Sequence, residues 1–250
     1  MKYYEICFSP TGGTQKVADA VTKGLAQGAV KVDLTDAKGN FDGISLTKED
    51  VVLIAVPSYS GRVPETAAAR IARLQGHGAS AILICVYGNR AYEDTLVELQ
   101  DIAHQAGFKV VAAVAEHSIA RRYAAGRPDE EDRTQLAEFA RQIAQKIASG
   151  DTCEPKIPGH RPYRKAGATG IVPKPTKACI NCGVCARKCP VGAINPTDSR
   201  KVDKKACISC MRCVAVCPHS ARKINGLMLF LVNALLKKAC SQRKGNELYL

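Results

Sequence analysis

Two cysteine runs constrain this chain more than any other feature. Eight of its twelve cysteines repeat the spacing Cys-x2-Cys-x2-Cys-x3-Cys-Pro, first as CINCGVCARKCP at 179–190 and again as CISCMRCVAVCP at 207–218. Two matching registers of four thiols suit metal ligation better than disulfides. A zinc ribbon usually pairs two Cys-x2-Cys knuckles around one ion, whereas each run here supplies four cysteines by itself. The spacing therefore favours two [4Fe–4S] clusters over a structural zinc ion.

The same spacing predicts which thiol binds which cluster. In this pattern the first three cysteines of a run bind one cluster, and the fourth, before proline, binds the other. Cluster 1 is predicted to use Cys179, Cys182, Cys185 and Cys217, and cluster 2 to use Cys207, Cys210, Cys213 and Cys189. Neither run completes its coordination alone, so we expect both to fold as one unit that the clusters stabilise. The remaining cysteines have no ligand spacing and are interpreted as ordinary buried or free thiols: Cys7, Cys85, Cys153 and Cys240.

The positive charge of the chain lies in its C-terminal part. Residues 151–250 carry 19 Lys and Arg against 5 Asp and Glu, a net of +14, whereas residues 1–150 carry 17 against 18, a net of −1. Few aromatic residues accompany the basic ones, so nucleic-acid binding is not indicated. Thiolates around two clusters would offset roughly 4 of these charges. The remainder favours a redox partner protein with an acidic surface. The sequence does not indicate an oligomeric state.

Upstream of the cysteine runs, short β-branched stretches alternate with helical ones. The pattern predicts strands at 3–8, 29–34, 51–56, 80–86 and 109–115 and helices at 14–27, 64–75, 92–106 and 129–149. Five strands alternating with helices predict an α/β fold with a doubly wound parallel sheet. We expect four segments: this α/β domain at 1–150, a Pro/Gly-rich linker or arm at 151–176, a small α+β ferredoxin domain at 177–224, and a C-terminal helix and tail at 225–250.

The N-terminal sequence and the lengths of the apolar stretches indicate the cellular location that we expect. The start, MKYYEICFSP, lacks the pattern of a secretory signal, and no apolar stretch approaches the length of a transmembrane segment. We therefore expect a soluble cytoplasmic protein. The apolar helix predicted at 226–239 is too short to span a bilayer. It is interpreted as a cover for the ferredoxin domain, with peripheral membrane contact as the alternative.

A second chemical feature follows the first predicted strand, in the stretch SPTGGT. Hydroxyl groups and backbone N–H groups at a helix N-terminus form an anion site, and this one is built from Ser9, Thr11, Gly12, Gly13 and Thr14. The stretch has no lysine, which excludes a P-loop, and no GxGxxG dinucleotide pattern occurs. A single terminal phosphate is the expected ligand. The alternative is that the hydroxyl residues only shape the turn and cap the helix.

This stretch resembles the FMN phosphate loop of flavodoxins, whose pattern is Ser/Thr-x-Thr-Gly-x-Thr after the first strand. The resemblance implies a five-stranded sheet of order 2-1-3-4-5, with flavin contacts from the loops that follow the third and fourth strands. In this chain those loops supply Pro57, Ser58, Tyr59, Ser60 and Gly61, and then Tyr87, Gly88, Asn89, Arg90 and Tyr92. Arg62 and Arg90 fit either a charge near the flavin or a solvated surface position, and sequence does not separate the two.

The whole chain resembles the EFR1-type ferrodoxin family, in which a flavodoxin-like domain precedes a ferredoxin domain with two [4Fe–4S] clusters. The resemblance rests on the phosphate loop, on YGNRAYED and AAGRPDEED, and on both cysteine runs. It implies electron transfer between FMN, the clusters and a redox partner. Two other functions stay open. A flavin-dependent reductase of a quinone or nitro compound would need a catalytic acid, and a redox sensor would need a signalling module; the sequence identifies neither.

Overall fold

A parallel β-sheet forms the centre of the N-terminal part of the chain. The computed structural model describes residues 1–117, 126–167 and 170–250. Its first five strands are β1 (Tyr3–Cys7), β2 (Val30–Asp33), β3 (Val51–Pro57), β4 (Ser80–Tyr87) and β5 (Lys109–His117). They are parallel and lie in the order β2-β1-β3-β4-β5. This is the flavodoxin-like order of doubly wound sheets, so the predicted fold class is confirmed.

Both faces of the sheet are covered by helices, which are α1 (Gly13–Leu25), α2 (Glu65–Ile71), α3 (Thr95–Gln105) and α4 (Glu130–Ala148). In β3, Val52, Ile54 and Val56 join a core with α2 and α3, whereas Val51, Leu53 and Ala55 join a second core with α1 and α4. Strands that are buried on both faces appear in the sequence as continuous apolar runs. The sequence therefore predicted strands such as β3 well. The core on the α1 side is tight, because a Cβ on Gly24 would lie 2.6 Å from Ala140 Cβ.

The sheet has a sixth strand that the sequence did not predict. In the C-terminal tail, β8 (Glu247–Tyr249) pairs antiparallel with β5, with Ala113 opposite Tyr249 and Ala115 opposite Glu247. Three residues are too few to show a strand period, so the pattern of the tail gave no signal. The added strand covers the β5 edge, whose backbone groups would otherwise be open to pairing with other chains.

Removing residues 247–250 should destabilise this edge. We expect a loss of about 2 kcal/mol in the free energy that protects the β5 amides, because three strand pairs and the hydrogen bond from Tyr92 Oη to Glu247 are lost. Hydrogen exchange of residues 113–115 measures the effect. Leu250→Ala, at an exposed position beyond the strand, is the control and should leave this exchange unchanged.

The cysteine-rich part is a small α+β unit with an internal repeat. Its elements are β6 (Lys174–Pro175), α5 (Val184–Arg187), α6 (Arg212–Ala215) and β7 (Arg222–Lys223), and β6 pairs antiparallel with β7. Each short helix follows a residue in the left-handed conformation at the same place in its run, Gly183 (φ 74°) and Met211 (φ 62°). Its buried apolar core holds few side chains, namely Cys185, Cys189, Ala193 and Ile194. Such a small core cannot stabilise a domain of this size unaided.

Two further segments fasten the unit to the sheet domain. The arm predicted at 151–176 runs along α3, where Arg161 Nη2 lies 2.7 Å from Asp101 Oδ1 and Ile157 packs against the core. Helix α7 (Gly226–Cys240) is held at its last turn by the loop after β4, because Asn89 Nδ2 donates to Cys240 O at 2.5 Å. The interpretation of this helix as a cover for the ferredoxin domain stays a prediction. In the described ranges, no helix is long and apolar enough to cross a membrane.

Candidate functional site

The loop between β1 and α1 has the shape of an anion site. Gly12 is the N-cap residue of α1 in the left-handed conformation (φ 87°), and it has no side chain that could cap the helix. Ser9 Oγ accepts a hydrogen bond from Gln15 N at 2.9 Å, and Ser9 N donates to Thr35 Oγ1 at 2.8 Å. Ser9 therefore sets the shape of the loop. The backbone N–H groups at the start of α1 are suited to an anion.

The loop after β3 is a tight reversal at the same edge of the sheet. Ser60 (φ 55°) and Gly61 (φ 80°) occupy its tip, and the backbones of Tyr59 and Arg62 exchange hydrogen bonds of 3.0 and 3.1 Å. Two successive positive φ angles are typical of a type I′ turn, which favours glycine at the second position. The turn holds the Tyr59 side chain at the edge of the sheet. Beside it, Pro57 ends β3, and Ser58 Oγ lies 2.7 Å from Thr95 Oγ1.

Arg62 has a structural role that the sequence left open. Its guanidinium forms two hydrogen bonds of 2.7 Å to the carboxylate of Glu98, and this carboxylate also accepts from Val63 N at 2.8 Å. The hydrogen bond to Glu98 raises the pKa of Arg62, so the side chain stays charged. Arg62 Nη1 also donates to Arg164 O at 2.6 Å. The arginine thus joins the β3 loop, α3 and the arm.

The loop after β4 binds the C-terminal tail. Asn89 donates to Cys240 O and to Gln242 O, Arg90 forms an ion pair with Glu93 at 2.8 Å, and Tyr92 Oη donates to Glu247 Oε2 at 2.6 Å. Tyr87 and Tyr92 meet edge to face with ring centroids 5.1 Å apart, and Gly88 O lies 3.6 Å from Cys240 Sγ. The described contacts of the Asn89, Arg90 and Tyr92 side chains are thus with the tail or with their own loop. As flavin contacts, these residues stay a prediction.

The cysteines of the two runs surround two separate cavities. One cavity, with about 320 Å³ of empty space, is lined by Cys179, Cys182, Cys185 and Cys217. The other, with about 370 Å³, is lined by Cys207, Cys210, Cys213 and Cys189. The structure thus brings the thiols together in the two crossed sets that the spacing predicts. Within the described residues, no group of three or more His, Cys, Asp or Glu side chains is placed to hold a single metal ion.

Two thiols of the second set, Cys210 and Cys213, need a positive charge nearby to ionise. Burial raises the pKa of Cys210 to about 11 and that of Cys213 to about 12, so the free thiols are protonated near neutral pH. Bound iron supplies the charge that deprotonates a coordinating thiol. The chemistry of this donor set therefore fits an iron–sulfur cluster.

The second cysteine set lies against the loop after β3. Burial, and to a lesser degree the charge of Cys210, raise the pKa of the Tyr59 hydroxyl well above its ordinary value. Ile208, which follows Cys207, packs against the core of the sheet domain. Between them lies a cleft with about 1450 Å³ of empty space, lined in part by Tyr59, Cys207 and Ile208. This juxtaposition could not be read from the sequence, because it joins residues about 150 positions apart.

Comparison with known proteins agrees with this division of the chain. Residues 178–224 match the family model of the 4Fe-4S dicluster domain. No curated protein sequence matches the chain. Among solved structures, it is similar to a flavodoxin from the domain Archaea, with 15% identity over 59% of this chain and 99% of that one and a TM-score of 0.42.

Two further structures are similar over the same part. The flavodoxin of Streptococcus pneumoniae TIGR4 gives 20% identity over 58% of this chain and 99% of that one, with a TM-score of 0.42. Rubredoxin oxygen:oxidoreductase of Desulfovibrio gigas gives 13% identity over 59% of this chain and 36% of that one, with a TM-score of 0.45. Likenesses this weak carry no argument about function, so the fold assignment rests on the strand order of the sheet itself.

The chain is a doubly wound α/β domain of flavodoxin-like strand order joined to a 4Fe-4S dicluster domain. The dicluster match confirms the prediction of two [4Fe–4S] clusters. The predicted domain boundaries stay predictions, although the matched range 178–224 lies close to the expected 177–224. Most of the loop after β5, at 118–125, lies outside the described residues.

Proposed function

We propose that this protein is an electron-transfer iron–sulfur flavoprotein that passes electrons between FMN, two [4Fe–4S] clusters and a redox partner. One observation carries the proposal: Tyr59, in a loop expected to bind the flavin, lines the same cleft as Cys207, a proposed ligand of cluster 2. A short distance between a flavin site and a cluster site allows electron transfer between them. Resemblance to the EFR1-type ferrodoxins supports the same function.

The residues at the phosphate loop fit FMN. The N–H groups of Gly12, Gly13 and Thr14 and the hydroxyl of Thr11 are the proposed phosphate ligands, on the loop that Ser9 shapes. The loop at 57–61 and the stretch at 87–92 are the proposed neighbours of the flavin ring. When bound, FMN supplies a carrier that accepts two electrons or a hydride and releases electrons singly, whereas each cluster carries one.

The crossed ligand sets are proposed for the clusters on the same basis. Cluster 1 is assigned Cys179, Cys182, Cys185 and Cys217, and cluster 2 is assigned Cys207, Cys210, Cys213 and Cys189, since each set lines one cavity. Apolar residues line both cavities, among them Ile180 and Val184 in the first and Ile194 and Val202 in the second. Apolar neighbours limit water access and so tune the reduction potential.

An acidic protein is the proposed redox partner, and cluster 1 is its proposed contact. Arg187 donates to Cys182 O and Arg200 donates to Cys179 O, each at 3.3 Å, and both side chains are exposed. These guanidinium groups surround the first cavity with positive charge, which would attract an acidic surface and orient it. A reducing cytoplasm is the proposed location, because it keeps the ligand thiols available.

An anaerobic reductive titration tests the proposed function. One FMN takes up two electrons and each cluster takes up one, so the holoprotein should consume about four electrons per chain. Flavin absorbance and cluster absorbance report separately where the electrons go. Consumption of about two electrons, with only one of the two chromophores responding, would contradict the proposal.

Gly12→Ala should weaken FMN binding without unfolding the domain. A Cβ at this position meets no atom within 4 Å, but its φ of 87° is unfavourable for alanine by about 1 to 2 kcal/mol. The loop must relax and so misplace its N–H groups. We expect the Kd for FMN, measured by quenching of flavin fluorescence, to rise about tenfold, which corresponds to 1.4 kcal/mol.

Gly28→Ala is the matched control for this variant. The position is equally open, with no atom within 4 Å of a Cβ, and its φ lies outside the positive range. FMN affinity should therefore stay at the wild-type value. Equal affinities for Gly12→Ala and wild type would show that this loop does not bind the phosphate.

A further inference from the structure

One arginine of the second cysteine run reaches the phosphate loop. Arg212 lies between Cys210 and Cys213 and lines the cavity of cluster 2. Its Nη1 donates to Ser9 O at 3.3 Å and to Pro10 O at 3.2 Å. Arg212 also lines a smaller cavity beside the loop, together with Gly12 and Gln15. A single side chain thus contacts both proposed cofactor sites.

This arginine has no counterpart in the first run. The equivalent position there, between Cys182 and Cys185, is Val184. The fold of a run therefore does not need an arginine at this place. Arg212 Nε is buried and has no hydrogen-bond partner in the described part of the chain. A buried donor without a partner is costly, so it points to a negatively charged neighbour that completes the site.

Two other contacts hold the cluster 2 side against the sheet domain. Arg70 Nη2, on α2, donates at 2.6 Å to the carbonyl oxygen of Pro190, the residue after Cys189. Ile208, the residue after Cys207, packs against the sheet core. All three contacts therefore lie next to proposed ligands of cluster 2.

The cluster 1 side faces away from these loops. Ile180 is 64% exposed, and Cys182 is exposed as well. Among the described residues, the hydrogen bonds of 179–188 stay within the cysteine-rich unit. The two cavities thus differ in their surroundings, although their cysteines have the same spacing.

From this asymmetry we infer that cluster 2 exchanges electrons with the flavin and that cluster 1 exchanges them with the partner. In this arrangement Arg212 is the positioning residue that holds cluster 2 at the phosphate loop. The inference rests on the proposed function. Electron transfer slows steeply with distance, so the cluster in contact with the sheet loops is the faster donor or acceptor. With both cofactors bound, the guanidinium would be near two anionic groups, the phosphate and the cluster, and would offset their repulsion.

The electron balance of this route is simple. Two one-electron protein donors each lose one electron to cluster 1, and each electron then passes to cluster 2. The two electrons, with two protons from water, complete the reduction of FMN. The reverse flow oxidises the reduced flavin, returns two protons to water and delivers two electrons singly to protein acceptors.

Matched ligand variants test the order of the clusters. Cys179 and Cys207 are the first cysteines of their runs, so Cys179→Ser and Cys207→Ser make the same change at either cluster. After photoreduction of bound FMN, transient absorbance measures electron transfer to the clusters. We expect Cys179→Ser to keep the rate of the first transfer and Cys207→Ser to lose it by more than about 100-fold. Loss in Cys179→Ser with retention in Cys207→Ser would overturn the order, as would equal loss in both.

Arg212→Val tests the positioning role and keeps every ligand, and it installs the residue that the first run already has. We expect the first transfer to slow at least about tenfold while iron, sulfide and FMN per chain stay at wild-type values. Arg133→Val, at an exposed arginine of α4, is the control and should change the rate less than about twofold.

The reduction potential of cluster 2 distinguishes a positioning role of Arg212 from a general effect on stability. Removing a positive charge beside an anionic cluster should lower the reduction potential of cluster 2, and Arg212→Lys should restore that potential while recovering only part of the rate. A wild-type rate and an unchanged potential in Arg212→Val would overturn the role of Arg212. If the proposed function itself is wrong, the wild-type protein will bind no flavin or no clusters, which is seen before any rate is measured.

Discussion

Asp132→Asn is expected to destabilise the sheet domain by about 3 to 5 kcal/mol, the usual cost of removing one partner from a buried ion pair. Asp132 is fully buried at the start of α4, and Arg127, which is 6% exposed, donates its Nε hydrogen to Asp132 Oδ2 at 2.7 Å. The same carboxylate accepts from Asp129 N at 3.0 Å and from Asn246 Nδ2 at 3.2 Å. The change would leave the guanidinium buried without its counter-charge.

Urea denaturation of the holoprotein measures the loss in the free energy of unfolding. Hydrogen exchange of the α4 and β5 amides measures it locally. Glu138→Gln on the same helix is the matched control, because its ion pair with Arg141 is exposed and should contribute nothing measurable. Equal stability of Asp132→Asn and Glu138→Gln would contradict the importance of the buried pair.

The effect of Asp132 should depend on pH. Burial alone would raise the pKa of this carboxyl group, but the hydrogen bonds from Arg127 and from the Asp129 backbone outweigh burial and lower it. A folded-state pKa below the unfolded value stabilises the protein above the unfolded pKa, about 3.9, and this stabilisation is lost as pH falls through the folded pKa. The stability difference between wild type and Asp132→Asn should therefore shrink below about pH 4.

Cys217→Ser is expected to remove cluster 1, although Cys217 belongs to the second run. Its side chain lines the cavity of Cys179, Cys182 and Cys185, and its Sγ accepts a hydrogen bond from Ala221 N at 3.2 Å. Iron should fall from about eight to about four atoms per chain. Because the two residues serve one cluster, the Cys179→Ser, Cys217→Ser and double variants should have the same iron content and the same electron paramagnetic resonance spectrum.

The opposite pairing would show in the same spectra. If each run held its own cluster, Cys217→Ser would match Cys207→Ser instead, and the double variant with Cys179→Ser would lose both clusters. Cys153→Ser is the control, because this exposed thiol of the arm lies outside both cavities and its loss should leave the iron content unchanged.

The parts that the sequence predicted well carry their signal locally. The central strands β3 (Val51–Pro57) and β4 (Ser80–Tyr87) are apolar on both faces, so they stand out as continuous runs. The cysteine sets follow from spacing, because ligands of one cluster must converge on it. The connection between β1 and α1 follows from a strand, a glycine-containing turn and a helix start. Each of these depends on residues that are neighbours in sequence or repeat at a fixed interval.

The parts that the sequence missed depend on contacts between distant segments. β8 is three residues long and has no period, and it forms because the tail returns to the β5 edge. The hydrogen bonds from the Tyr92 and Asn89 side chains to the tail were not predicted either. The contact between Arg212 and Ser9 spans 203 positions. In the sequence, the one sign of this contact is that Arg212 occupies the position at which the first run has Val184. Only the structure shows what the arginine contacts.

Quantification of iron, sulfide and FMN in the anaerobically purified protein tests the central claim most directly. Two [4Fe–4S] clusters and one flavin predict about eight irons, about eight sulfides and about one FMN per chain. The absorbance spectrum should show both chromophores. Zinc in place of iron would contradict the cluster assignment, and a chain that binds its iron but no flavin would contradict the proposed electron transfer between FMN and the clusters.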